Sequence, residues 1–429
     1  MRHAVPGSRV RVKMVRRRAR RLEARLEEVL DPGPHQVAAR CAHFGTCGGC
    51  AFQNLEYERQ LVELRDALRR ALERAGLEVD VEPVVGAADP WHYRNKMDFT
   101  FGDARWVAPG EPSGVERSFA LGLHVPGRFD KVLDVDACAI AFPEAPTLLA
   151  TVRELSRRRG LEPWSTRRHT GLLRHLVLRK GFRTGELLVD LVTSSDADEL
   201  VEPFVAEVLE RHPEVTTLVQ SVNTRLAATA IGERQRVHHG PGAIRERLGG
   251  LTFTISAASF FQTNTAQAER LLEMVREEGR CERGEGLLDL YCGAGMLGLG
   301  LARDCREVLG VEEVEAAARD ARRNAALNGI ATARFHTGGA LDFLRAEGAR
   351  LAPDVCVADP PRAGLHPEVA TALGALGARR IVYVSCNPNA AVSNLAALVS
   401  SGYEIARVRP IDLFPHTPHV ECVFTLDRR

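Results

Sequence analysis

LLDLYCGAGMLGLGLA, Leu287–Ala302, reads as a strand, a glycine turn and a helix. Gly293 and Gly295 let the backbone turn sharply and approach a ligand closely. A second strand, VLGVE, ends in Glu312, nineteen residues after Gly293. An acid at that place can accept hydrogen bonds from both hydroxyls of a ribose. Outward from this unit the chain alternates. A helix is expected over roughly Ala266–Glu278, and strands at Gly286–Tyr291, Val308–Glu312, Arg334–His336, Val355–Asp359 and Ile381–Ser385, with helices between most of them. That rhythm predicts a doubly wound, Rossmann-like α/β sheet. The tail, Tyr403–Arg428, adds two strands, expected as an antiparallel hairpin at the sheet edge.

G-x-G alone is a weak signal, and the loop lacks the third glycine of a pyrophosphate binder. Together with Glu312 and DPPRAG, Asp359–Gly364, it favours S-adenosylmethionine over a dinucleotide. DPPRAG follows the apolar strand DVCVA at the carboxyl end of the sheet, where ligands of such folds bind. Pro360-Pro361 stiffens the turn and holds Asp359 toward the cleft. Arg362 stands where amine methyltransferases carry a base-stacking aromatic, which disfavours amine chemistry.

One strand further, IVYVSCNPNAA, Ile381–Ala391, places Cys386 where an apolar strand stops. Glu421, in HVE, opens the last strand. Carbon 5 of uracil is a poor nucleophile. A thiolate adding to carbon 6 makes the ring an enolate, whose carbon 5 can take a methyl group. A base must then remove the carbon-5 proton so that the thiolate leaves. Cys386, Glu421 and the glycine loop supply nucleophile, base and donor site. A free thiol is only a few per cent ionised at neutral pH, so the site must favour the thiolate or deprotonate it on attack. The base must also leave its stack.

The chain has 429 residues, 45% apolar and 26% charged, which predicts two or three domains of a globular protein. No run approaches the ~18 apolar residues of a membrane helix, and the basic N-terminus lacks the apolar core of a signal peptide; a cytoplasmic location away from membranes is expected. Ten cysteines then read as thiols or metal ligands. The net charge of +1 hides ten Arg or Lys against the single acid Glu23 in residues 1–25, a footprint for a polyanion. WHYRNK, Trp91–Lys96, read as the start of a strand to Gly102, groups aromatics and cations suited to RNA; Arg174, His175, Arg179 and Lys180 are weaker candidates. Cys41, Cys47 and Cys50 have C-x5-C-x2-C spacing, and Cys138 is the leading fourth ligand. Four thiolates suit an iron–sulfur cluster or zinc, and spacing does not separate the two.

CxxxxxCGGC, YRNK, SFFQTN, DLYCGAG, DPPRAG, SCNP and HVE occur in this order over nearly the whole chain. In that series the chain resembles RNA uracil-C5-methyltransferases, of the bacterial 23S rRNA (uracil-5-)-methyltransferase branch. The resemblance implies a class I methyltransferase that makes 5-methyluridine in 23S rRNA, acting as a monomer. It implies Cys386 as nucleophile and Glu421 as base. It implies Gln262, Tyr291, Glu312 and Asp359 as S-adenosylmethionine-binding residues, with Gln262 and Asp359 also candidates for the uracil edge. It favours a [4Fe–4S] cluster on Cys41, Cys47, Cys50 and Cys138, and because tRNA-directed relatives generally lack that cluster, ribosomal RNA as partner. The expected division is a partial TRAM/OB-like RNA-binding β element over 1–36, an α+β central domain with the cysteines over 37–250, and the methyltransferase domain over 251–429. Met296 and Gly338 depart from asparagines found in some members. The alternatives are a tRNA uridine or RNA cytosine C5-methyltransferase, or a non-catalytic RNA-binding iron–sulfur protein.

Overall fold

A computed structural model describes residues 3–18, 21–108, 110–112, 114–227, 229–348 and 350–429. The strand that leads into the glycine turn, Gly286–Leu290, lies inside a seven-stranded sheet. Across that sheet the strands run Ala333–Thr337, Glu307–Glu312, Gly286–Leu290, Val355–Ala358, Arg380–Ser385, Glu421–Arg428 and Tyr403–Ile411. The first five are parallel; Glu421–Arg428 runs antiparallel to both of its neighbours, so Tyr403–Ile411 points the same way as the first five. Strand order reverses between Gly286–Leu290 and Val355–Ala358, which opens a crevice at their carboxyl ends.

Parallel strands covered on both faces must be apolar throughout. Val355–Ala358 and Ile381–Val384 are buried at every position. One face packs the helices Thr265–Gly279, Met296–Leu301 and Glu315–Leu327, through Leu271, Leu299 and Ala321. The other face packs Ala340–Glu347, Pro367–Ala375 and Pro388–Ser400, through Phe343, Leu373 and Leu395. The doubly wound expectation is thus met, with strand ends shifted by a residue or two. The tail hairpin does lie at the edge, but its final strand is the inner one. Glu421 therefore starts a strand that pairs with Arg380–Ser385 rather than an exposed rim.

Packing does not follow a linear division of the chain. Helix Tyr57–Arg74 sends Leu68 and Leu72 into the core that holds Leu288 and Tyr383. Strands Ala243–Leu248 and Leu251–Ser256 form a hairpin around Gly249-Gly250, both at positive φ. Ile244, Leu248, Phe253 and Ile255 of that hairpin join the core of the opposite face. Residue 250 lies in the turn of that hairpin.

A mixed eight-stranded sheet forms the middle of the protein. Helices Ala145–Arg158 and Asp198–Arg211 contribute Leu148, Val152, Phe204 and Val208 to its core. The expected hairpin is present as Leu173–Lys180 against Leu187–Thr193. The strand expected from Trp91 begins only at Lys96. His92, at φ 50°, turns the chain there, and Arg94 forms isolated bridges to both Ala141 and Asn264. The N-terminal strands Arg9–Arg18 and Arg21–Asp31 make a separate antiparallel ribbon with Met14 and Val15 exposed. Among the described residues no helix is long and apolar enough to cross a membrane.

Candidate active site

The glycine loop bends through Tyr291, Gly293 and Gly295, with φ of 62°, 55° and 86°. At Gly293 a Cβ would meet nothing within 4 Å, so backbone conformation alone calls for glycine there. The turn is held by Glu312. Its Oε2 accepts the Gly293 N–H at 3.0 Å and its Oε1 accepts the Val314 N–H at 2.8 Å. Each oxygen has a second lone pair for a ligand hydroxyl. The donor set and the turn fit a nucleoside whose ribose faces Glu312.

Asp289 was not singled out by the sequence, yet it anchors the loop from below. Its Oδ2 accepts the Gly298 N–H at 2.8 Å, and its Oδ1 is buried without a partner. A Cβ at Gly298 would sit 2.7 Å from that carboxylate, so only glycine lets the helix approach. Burial, helped by the nearby charges of Asp359 and Glu312, pushes Asp289 up to about 8. Met296, one of the departures, is buried in the apolar core at the start of its helix. Gly338, the other, donates its N–H to the Glu312 carbonyl at 2.9 Å.

Cys386, Glu421 and Asp359 come together at the ends of three adjacent strands. Ser385 pairs with Cys422 in the last antiparallel register step, so Cys386 and Glu421 are the next two facing positions. Asp359 follows Ala358, which is in register with Tyr383. Glu421 is buried and its Oε1 has no partner. Burial, then the charge of Asp359, holds its carboxyl well above the usual range. Burial likewise pushes Asp359 up to about 7. Cys386 is half-buried; burial, then Glu421 and Asp359, push its thiol up to about 11, while Arg362 pulls the other way. Two carboxyl groups and a thiol so arranged do not all ionise together. Burial thus works against the charged form of all three groups.

The loops around these groups are tightly keyed. Asn387 caps the helix Pro388–Ser400, its Oδ1 accepting from Asn389 N–H at 3.2 Å, and its Nδ2 donates to the Arg362 carbonyl at 3.0 Å. Cys386 thus lies just ahead of a helix N-terminus, where partial positive charge favours a developing thiolate. Asn394 Oδ1 accepts from the Leu365 N–H and the Tyr383 hydroxyl, both at 2.9 Å, and its Nδ2 donates to the Leu365 carbonyl at 2.8 Å. These bonds fasten the DPPRAG turn to the helix. Arg362 reaches across the mouth, its Nη2 3.4 Å from His419 Nδ1.

Gln262 is buried, and its carbonyl accepts from Asn95 Nδ2 at 2.9 Å. Among the described residues its side-chain amide has no hydrogen-bond partner. The simple alternative, a helix-entry role, falls instead to Asn264, whose Oδ1 accepts the Gln267 N–H. Phe260, which the sequence reading passed over, is 69% exposed two residues away. An exposed aromatic in SFFQTN was the available signal.

Cys41, Cys47, Cys50 and Cys138 all line one cavity of about 300 Å³. Burial pushes Cys47 up to about 11 and Cys50 up to about 12, with neighbouring cysteines adding to the rise. Among the described residues, however, no group of three or more His, Cys, Asp or Glu is drawn together closely enough to hold a metal ion. The donors converge on one space, but their side chains are not gathered into a ligating set. Several candidate RNA contacts are structural. Tyr93 is buried and donates to the Pro415 carbonyl, Arg174 donates to the carbonyls of Asn223, Arg225 and Ala227, and His175 and Arg179 are buried.

The family model for tRNA (uracil-5-)-methyltransferases matches residues 230–429. An uncharacterized RNA methyltransferase of Chlorobaculum tepidum is 39% identical over 433 residues, 99% of this chain and 90% of the relative. Another, from Porphyromonas gingivalis, is 37% identical over 444 residues, 99% of this chain and 94% of the relative. The crystal structure of the Pyrococcus abyssi tRNA (uracil-54, C5)-methyltransferase with S-adenosyl-L-homocysteine covers 99% of this chain and 94% of its own, at TM-score 0.78 and 29% identity. The class I fold, the cleft suited to S-adenosylmethionine and the full-length relatives agree: the chain belongs to the RNA (uracil-5-)-methyltransferase family.

Proposed function

We propose that the protein methylates carbon 5 of a uridine in 23S rRNA, with Cys386 as nucleophile and Glu421 as the base that removes the carbon-5 proton. The observation that carries this is the meeting of Cys386, Glu421 and Asp359 at three neighbouring strand ends beside the glycine loop. Glu312 holds the ribose of S-adenosylmethionine, Tyr291 and Asp359 line the rest of that site, and Gln262 turns its free amide to cofactor or uracil. S-adenosylmethionine supplies an electrophilic methyl group. Cys386 gives its thiol proton to solvent and its sulfur bonds to carbon 6, while the C5=C6 electron pair moves toward the carbon-4 oxygen and the ring becomes an enolate. Asp359, whose carboxyl burial pushes up to about 7, donates a hydrogen bond to the uracil edge in its protonated form. Once carbon 5 carries the methyl group, Glu421 takes its proton, the double bond re-forms and the carbon–sulfur bond breaks. For that step Glu421 must be ionised, so proton exchange with Asp359 sets its readiness. Phe260 stacks on a base displaced from the RNA.

The four cysteines form a thiolate site for a [4Fe–4S] cluster. Their shared cavity and soft donor set support this, and burial explains why thiolates there need a cation. Side-chain rotation would have to gather them. Four irons and four sulfides per chain are the expected assay; one zinc and no sulfide would reverse it. A second substrate reading, tRNA, is favoured by the similarity to the Pyrococcus abyssi tRNA (uracil-54, C5)-methyltransferase. We also propose three units: the basic ribbon, the central sheet, and a C-terminal unit that includes the hairpin at 243–256.

The test is to incubate the protein with S-adenosylmethionine and 5-fluorouridine-containing 23S rRNA or tRNA transcripts. A covalent complex on 23S rRNA alone supports the full reading, and one on tRNA alone replaces the substrate. No complex on either removes the mechanism.

A further inference from the structure

The cysteine-bearing loop and the loop that delivers Glu421 are joined at one residue, His416. The His416 carbonyl accepts the N–H groups of Ala51 at 2.8 Å and Phe52 at 3.0 Å, directly after Cys50. Its own N–H donates to Gln60 Oε1 at 3.1 Å. Gln60 Nε2 lies 3.1 Å from His416 Nδ1 and donates also to the carbonyls of Phe52 and Leu55. Those carbonyls fix which end of the Gln60 amide is nitrogen, so Nδ1 of His416 is the bare, accepting nitrogen. The imidazole lies 3.9 Å from the Trp91 ring, centroid to centroid, and Arg40 lies over Trp91 at 5.3 Å. His416 holds φ 67°, an unfavourable backbone state for a residue with a side chain. Four residues on, Val420 is buried against Leu64 and Val84, with Phe52 and Leu61 packed on the same cluster. Glu421 is the next residue.

We infer that His416 is a positioning residue: through it, and through the apolar cluster that Phe52 shares with Val420, the loop carrying Cys47 and Cys50 sets where Glu421 sits in the active site. The inference rests on the proposed role of Glu421 as base. Among the described residues, the hydrogen-bond and ring partners of His416 all come from the N-terminal third of the chain. Releasing them lets the 412–420 loop relax and withdraws the base without touching Cys386, which belongs to another strand. The two halves of the reaction, bond formation at carbon 6 and proton removal at carbon 5, should then separate.

The experiment compares His416→Ala, His416→Asn and Phe52→Ala with the unaltered full-length protein on the RNA it traps. One readout is the rate of covalent complex formation with 5-fluorouridine RNA, which needs Cys386 but not the base. The other is tritium release from the same RNA carrying [5-³H]uridine, which needs the base. In His416→Ala and Phe52→Ala, tritium release should fall at least tenfold more than complex formation. His416→Asn, whose side-chain oxygen can stand in for Nδ1, should restore most of the loss. Parallel losses in both readouts, or no loss of tritium release, overturn the inference. If the unaltered protein forms no complex while the variants are also silent, the proposed function itself fails instead.

Discussion

Replacing Glu421 by glutamine should divide the reaction in two. The carboxyl is buried, with one oxygen unpartnered, and an amide of the same size fits its place. Two consequences follow from the charges. A Glu421 carboxylate, when charged, raises the Cys386 thiol, so an amide in its place does not hinder thiolate formation and leaves carbon-6 addition at least as fast. Proton removal from carbon 5, however, loses its base, and general-base catalysis contributes typically ~10²–10⁴-fold. The methylated adduct should therefore build up on natural uridine RNA. The assay is rapid quench with denaturing gels for the protein–RNA band, run beside tritium release from [5-³H]uridine. The expected result is a band that rises as fast as in the unaltered protein and persists, with tritium release slowed by at least two orders of magnitude. Tritium release within threefold of normal would refute the assignment of the base. Loss of the band would show that Glu421 serves the addition step instead.

Asp289→Asn should stabilise the protein in a pH-dependent way. The folded state holds this acid's pKa at about 8, so between its unfolded value and 8 the folded protein binds the extra proton, and stability is lost as pH rises. The loss approaches roughly 6 kcal/mol above pH 8 as an upper bound; the asparagine variant should gain melting temperature over the parent at pH 8.5 and much less at pH 5. Gly364→Ala should cost about 1–3 kcal/mol in a denaturant titration, because Gly364 has φ 79° and a Cβ would lie 2.5 Å from Asn394 Oδ1. Phe260→Ala should raise KM for RNA with a far smaller change in single-turnover rate, by the ~1–3 kcal/mol that one stacked base contributes.

The C-terminal half was legible because parallel strands announce themselves. Val355–Ala358 and Ile381–Val384 are unbroken apolar runs, and Gly293, Gly295 and Glu312 fall at strand ends where spacing places them. The position of Glu421 was not legible as a buried group, since nothing local says that the last strand is inserted inside the previous one. Trp91–Asn95 looked like strand from its aromatics, but His92 turns the chain and tertiary contacts to Ala141 and Asn264 decide its path. Long-range packing also hid the membership of helix Tyr57–Arg74, whose Leu68 and Leu72 fill a core built from residues more than two hundred positions away. Asp289 was invisible for a related reason: one acid in an apolar strand carries no sign of the Gly298 N–H it accepts. The basic character of residues 1–25 was legible, whereas Arg174 and Arg179 show that a cation in sequence can be a buried clamp on carbonyls.

The most direct measurement maps the covalent bond itself. Digest the complex formed with 5-fluorouridine RNA and S-adenosylmethionine, and locate the nucleotide-bearing residue by mass spectrometry. The modified peptide should contain Ile381–Asn387 with a methylated fluorouridine on Cys386, and a Cys386→Ala chain should yield none. A nucleotide found on any other side chain, or normal 5-methyluridine formation by the alanine chain, would contradict the account.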